Sequence, residues 1–306
     1  MNQVTRRRFL SISAGLGCLA GLPALAATGF HEWRGVALGA DSCIRLAHPQ
    51  AEALVDKALA EIARLEDVFS LYRPHSALSQ LNAAGRLDAP PFELLDVLAQ
   101  SRQWHAVTGG AFDPTVQSLW QTYAEAWSAA SAPSAAAIAA AQSRTGMHRV
   151  RLSEAEIVLE PGTRLTLNGI AQGYVADRVA ALLRSAGASD VLIDTGEIMA
   201  MGRMPDGAAW PIRIVEGPRL ALRDQALATS APHGTCLDPA GTVGHILDPR
   251  TGLPAAAGWS QISVTARSAA LADAASTAAC LARDRQEIEA WFAAFPSAGL
   301  GLAWLA

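Results

Sequence analysis

Apolar residues recur at helical spacing through residues 50–69, where Leu54, Leu59, Ile62, Leu65 and Val68 fall on one stripe. This predicts a helix packed on a core. The same period returns at residues 92–107. Residues 150–159 alternate instead, broken by Ser153-Glu154, and predict a hairpin ending at Pro161-Gly162. A strand is expected at 164–167, then a turn at Asn168-Gly169, a helix over 171–186 closed by Gly187, and an apolar strand at 191–194. Further strands are expected at 211–215, 261–266 and 301–305, and helices at 269–281 and 285–295. The order predicts one α/β domain, α+β in character, with mixed sheets and packed helices. Residues 124–142, mostly Ala and Ser around Pro133, read as an exposed helical insertion of little chemical content.

One apolar stretch does not belong to this pattern. Thr5-Arg6-Arg7-Arg8-Phe9-Leu10 precedes uncharged residues 12–25, a run too short to span a bilayer as a helix, and Ala24-Leu25-Ala26 offers small residues for cleavage. Residues 1–27 therefore read as a twin-arginine signal and residues 28–306 as the exported domain. This places the protein in the periplasm and makes the Tat export machinery its first partner.

The full chain has 306 residues and a formal net charge of −4. Without the signal's three arginines the balance is −7, and no basic stripe is present, which argues against nucleic acid as a partner. Lys57 is the single lysine, set on a helix surface. A phosphate loop of the G-x-x-x-x-G-K type is absent, as is a G-x-S-x-G elbow, and Schiff-base chemistry is disfavoured. Cys43, Cys236 and Cys280 remain after cleavage, and Cys280 reads as a buried, inert thiol.

Four polar clusters interrupt the apolar pattern. Thr108-Gly109-Gly110-Ala111-Phe112-Asp113-Pro114-Thr115 follows a helix and suits close approach of a ligand, or a simple helix cap and turn. Thr166-Leu167-Asn168-Gly169-Ile170-Ala171-Gln172-Gly173, with Asp177 beyond it, opens a helix whose amides suit a pyrophosphate, or merely joins strand to helix. Ala228-Thr229-Ser230 and His233 precede His245-Ile246-Leu247-Asp248-Pro249-Arg250-Thr251-Gly252, where a histidine beside an Asp-Pro turn and an arginine suits proton relay or phosphate binding. Asp273 and Thr277, four residues apart, share a helix face and suit one hard cation, or cap the helix start.

In this order the clusters, together with Ser70-Leu71-Tyr72, Ser76, Leu81 and Asn82, resemble the ApbE family of flavin transferases over nearly the whole exported chain. Leu167 through Tyr174 and Asp194-Thr195-Gly196-Glu197-Ile198, with the signal, look like the NosX branch associated with nitrous oxide respiration. The resemblance implies a Mg²⁺-dependent enzyme that takes FAD, releases AMP, and joins FMN through its phosphate to a Thr or Ser of a target protein. For the NosX branch the implied acceptor is the membrane flavoprotein NosR. By position, the implied metal ligands are Asp273, Thr277 and the carbonyl of Gly169. His245 is implied to lie near the transferred phosphate, and Tyr72, Ala111, Phe112, Asp113 and Gln172 to contact FAD.

Two departures stand out against that resemblance. Thr166 replaces a frequent aspartate and Gln172 a frequent lysine or glutamate, so the flavin pocket has lost charge, and Gly196-Glu197 stands where Gly-Gly is usual. Two readings remain beside the transferase: a Mg²⁺-dependent FAD pyrophosphatase, in which water replaces threonine, and a periplasmic carrier that holds FAD uncleaved.

Overall fold

The structure is a computed structural model that describes residues 30–256 and 258–306; the twin-arginine segment lies outside the described residues. Among the described residues the order is β1 (His31–Ala37), β2 (Ala40–Leu46), α1 (Ala51–Phe69), α2 (Ala77–Ala84), β3 (Arg86–Asp88), α3 (Phe92–Val107), α4 (Gln117–Ser128), α5 (Ala135–Gln142), β4 (Val150–Leu152) and β5 (Glu156–Leu159). There follow α6 (Ala171–Ser185), β6 (Val191–Asp194), β7 (Ile198–Met201), β8 (Trp210–Arg213), β9 (Arg219–Leu222), β10 (Gln225–Ser230), β11 (Ile262–Ala266), α7 (Ala269–Ala279), α8 (Arg285–Ala293) and β12 (Gly301–Leu305).

Seven strands form the central sheet in the order β1-β2-β6-β7-β10-β11-β12, with every neighbouring pair antiparallel. The expected mixed α/β domain is present. Its strands nevertheless pair as hairpins and long returns, with no parallel crossover of the kind that strand-helix-strand order usually produces. Side chains alternate across this sheet. Val191, Ile193, Met199, Met201, Ala226 and Ala228 enter the main core with the helices, whereas Leu192, Ile198, Ala200 and Leu227 join a second core under β8 and β9.

The helix expected at 92–107 and the strand expected at 301–305 have the bounds that their periodicity predicts, and the other predicted helices differ only at their ends. Residues 164–167 differ in kind. They are extended but join no sheet, because Asn82 takes the place of a neighbouring strand: its Oδ1 accepts from the Leu165 amide at 2.7 Å, and its Nδ2 donates to the Leu165 carbonyl at 2.8 Å.

Helix α7 positions the site. Its Ala269, Ala270, Ala272, Ala274, Ala275, Ala278 and Ala279 are all buried, and their small size lets it pack closely on β10, β11 and α6 at once. Asp177 of α6 fastens the start of α7, accepting from the Ser268 hydroxyl at 2.6 Å and from the amides of Ala269 and Ala270 at 2.8 and 3.0 Å. It is therefore a clamp between helices and not a ligand group. Cys280 is buried, and burial pushes its thiol well above the usual range, as expected of an inert core cysteine.

Candidate active site

A cleft opens where the β6–β7 turn, the end of β10, α7 and the start of α6 meet. Ala111, Phe112, Asp113, Gly169, Gln172, His245, Asp273 and Thr277 all line it. Tyr72 does not. It lines an adjoining cavity with Leu71 and Asn82, which shares Gln117, Trp120 and Asn168 with the main cleft. The four clusters thus converge, although residues from 111 to 277 separate their members.

Three oxygen groups gather on one wall. Asp273 is buried on α7, and its Oδ2 accepts from the Gly173 amide at 3.2 Å, so the start of α6 faces this carboxylate. One turn later the Thr277 hydroxyl lies 3.3 Å from Ser230 Oγ. Gly169 abuts Thr277 so closely that a methyl group in its place would sit 3.1 Å from Thr277 Oγ1. A carboxylate, a hydroxyl and a backbone carbonyl are the donor types a hard cation takes. Mg²⁺ typically uses one or two carboxylates and completes its shell with water and substrate phosphate. The residues fit such an ion, although no group of three or more His, Cys, Asp or Glu side chains suited to a metal occurs among the described residues. The amide of Gly173, read from sequence as part of an anion site, is already used by Asp273.

In the same cleft, His245 Nδ1 lies 3.1 Å from the Thr235 carbonyl. A carbonyl only accepts, so Nδ1 carries the proton and Nε2 the lone pair. Burial lowers the pKa of His245, against the pull of the Thr235 and Pro232 carbonyls, and the ring is a neutral base at neutral pH. Arg250, the arginine of the same motif, does not line the cleft. It pairs with Asp248 at 2.8 Å and donates to the Leu281 carbonyl at 2.9 Å, which secures the loop that carries His245.

Helices α4 and α5 also brace this loop, and the bland 124–142 stretch contributes Ala141 and Gln142 to it. Tyr123 donates to the Gly252 carbonyl at 3.0 Å and Gln142 to the Arg250 carbonyl at 2.6 Å, while Leu119, Tyr123 and Ala141 pack on Leu247. Asp113 is likewise occupied: Oδ1 accepts from the Thr115 amide and hydroxyl at 2.8 and 2.6 Å, and Oδ2 lies 3.2 Å from His105 Nδ1. It holds the turn that presents Ala111 and Phe112. His105, on the same side as Asp113, is held protonated to higher pH by that carboxylate.

Glu197 is the lining residue whose role the sequence did not disclose. It stands at the β6–β7 turn, buried, and the one signal the sequence offered was its place where Gly-Gly is usual.

One cleft that gathers hard-oxygen groups and a neutral imidazole suits transfer chemistry. A model of the ApbE family matches residues 38–297. The FAD:protein FMN transferase of Treponema pallidum is 30% identical over 267 residues, covering 77% of this chain and 74% of its own length. That of Chlamydia trachomatis is 28% identical over 258 residues, 80% of each. Among crystal structures, the apo flavinyl transferase ApbE of Pseudomonas stutzeri superposes with a TM-score of 0.75 at 27% identity, over 86% of this chain and 88% of its own. The apbe protein of Thermotoga maritima gives 0.80 at 25%, over 89% and 93%. The chain belongs to the ApbE family, and its class is that of a transferase.

Proposed function

We propose that this protein is an FAD:protein FMN transferase. The observation that carries the reading is the convergence, in one cleft, of Asp273, Thr277 and Gly169 with the lone-pair nitrogen of His245. The acceptor is a Thr or Ser of a periplasm-facing flavoprotein, of NosR type if the chain sits in the NosX branch, and the twin-arginine motif supports an exported enzyme.

In this reading the acceptor hydroxyl attacks the phosphorus on the FMN side of the FAD pyrophosphate. The new O–P bond forms as the P–O bond to AMP breaks, and AMP departs with that electron pair. The hydroxyl proton passes to His245 Nε2, which its Thr235 hydrogen bond holds in the required tautomer. Asp273, Thr277 and Gly169 would hold Mg²⁺. When bound, that ion supplies charge neutralisation on the pyrophosphate and the leaving AMP. Ala111 and Phe112 supply apolar surface for the flavin end, and the adjoining cavity at Tyr72 gives the extended dinucleotide room.

The test is the intact mass of a threonine-bearing NosR-type domain after incubation with the mature protein, FAD and Mg²⁺. A gain of one FMN group, absent with Asp273→Ala, is expected. Free FMN and AMP without that gain would instead identify a pyrophosphatase, and unchanged FAD a carrier.

A further inference from the structure

Glu197 has no part in the chemistry above, yet it is the most conspicuous polar group in the cleft. Only 6% of its surface is exposed, and it lines the same wall as Asp273. Strand alternation accounts for its direction: residue 197 projects on the side of Met199 and Met201, which is the face covered by α6 and α7. Its carboxylate accepts from the Thr229 amide of β10. Its Oε2 is buried without any hydrogen-bond partner.

A buried acid in that state needs a partner or a proton. Asp273, which lines the same cleft, is buried as well. No arginine or lysine lines the cleft to offset either one. Two buried carboxylates in one cleft without a basic partner, beside a hydroxyl, are an arrangement that a divalent cation stabilises.

We propose that Glu197 is a further ligand of the cation site, so that Glu197 and Asp273 together share one hard divalent ion with the Thr277 hydroxyl and the Gly169 carbonyl. The inference rests on the transferase reading for the existence of that site. It adds that the ion is held before FAD arrives, because two carboxylates neutralise a divalent charge that one alone leaves half unmatched.

The experiment is a Mn²⁺ titration of the mature protein without flavin, followed by electron paramagnetic resonance, on the wild type, Glu197→Gln and Asp273→Asn. Glutamine keeps an acceptor for the Thr229 amide, and thermal unfolding of each variant reports whether the fold is kept. Tight binding by the wild type and a loss of about 10- to 100-fold in both variants are expected. Loss in Asp273→Asn alone would overturn the role of Glu197 and leave the transferase reading standing. Loss in neither, or no binding by the wild type at millimolar Mn²⁺, would overturn the site itself. Anomalous diffraction from wild-type crystals soaked in Mn²⁺ needs no variant. An ion bonded to Glu197 supports the proposal, and an ion on Asp273 with Glu197 turned away refutes it.

Discussion

Gly173→Ala separates two opposite expectations. Gly173 lies in the first turn of α6 with ordinary helical backbone, so alanine should stabilise the helix by about 1 kcal/mol on propensity alone. The added methyl carbon, however, would stand 2.2 Å from the Ala269 carbonyl oxygen, 2.4 Å from its carbon and 2.7 Å from the Ala270 nitrogen. These are backbone atoms of α7, and no side chain can swing aside. Restoring ordinary contact requires the two helices to part by about 1 Å. The opposite side of α7 rests on β10 and β11, and the three hydrogen bonds to Asp177 resist the movement. Overpacking costs about 1–3 kcal/mol where neighbours yield. Here, with a rigid neighbour and a strained clamp, a net loss of about 2–4 kcal/mol is expected, which lowers Tm by about 5–10 °C in a domain of this size. The Gly173 amide would also leave Asp273, so Mn²⁺ affinity should fall in parallel. Differential scanning calorimetry reads the first effect and the titration above the second. Gly258→Ala is the control, because nothing lies within 4 Å of its added methyl and its backbone is unstrained. A Gly173→Ala protein that melts with the wild type or above it would refute the close-packing account.

Three further outcomes are expected. His245→Gln should lower FMN transfer by about 10²- to 10⁴-fold. In the wild type the rate should rise with pH and level off below pH 6.5, since burial depresses the imidazole pKa and the neutral ring is the base; a profile rising only above 6.5 would contradict it. Asn82→Ala leaves the Leu165 amide and carbonyl without partners and should cost about 1–3 kcal/mol, with a raised KM for FAD because Thr166, Asn168 and Gly169 line the cleft; an unchanged urea midpoint would argue against it. Burial raises Asp194 to about 6, against the Gly196 amide and Arg34. Its ionised form then costs stability, a penalty absent below the unfolded value near 4 and complete above pH 6. Asp194→Asn should therefore stabilise the protein by about 2 kcal/mol at pH 8 and by little at pH 4. Equal effects at the two pH values would refute the assignment.

Much of the fold is legible from periodicity, because α1, α3, α6, α7, α8 and the hairpin of β4 and β5 each bury one stripe or one face. What periodicity could not give is pairing. Residues 164–167 have a strand's composition, but an asparagine 83 positions away satisfies their backbone. The hairpin of β1 and β2 and the strands β7, β9 and β10 are short or carry Gly, Thr and Ser, and their burial arises from the completed sheet. The candidate site was legible as four clusters, since acids and hydroxyls in apolar surroundings are visible in one dimension. Its division of labour was not. Arg250, Asp177 and Asp113 look like ligand groups and prove to hold loops and helices, while the alanine-rich insertion, which looks inert, supplies Gln142 to the histidine loop.

The residues that bring the oxygen groups together are largely those with no side chain to speak of. Thr277 meets Gly169 only because residue 169 lacks a methyl, and Asp273 meets the Gly173 amide only because residue 173 lacks one and α7 presents alanines to its neighbours. Mg²⁺ demands near-ideal octahedral geometry at about 2.0–2.1 Å, so a displacement of 1 Å between α6, α7 and the β6–β7 turn abolishes a site that every ligand would otherwise still line. Close packing here is therefore a condition of the chemistry as well as of stability. Substitutions that enlarge residues 169 or 173 should lose cation binding even where the protein stays folded, whereas truncations on the solvent face of α6 should lose neither.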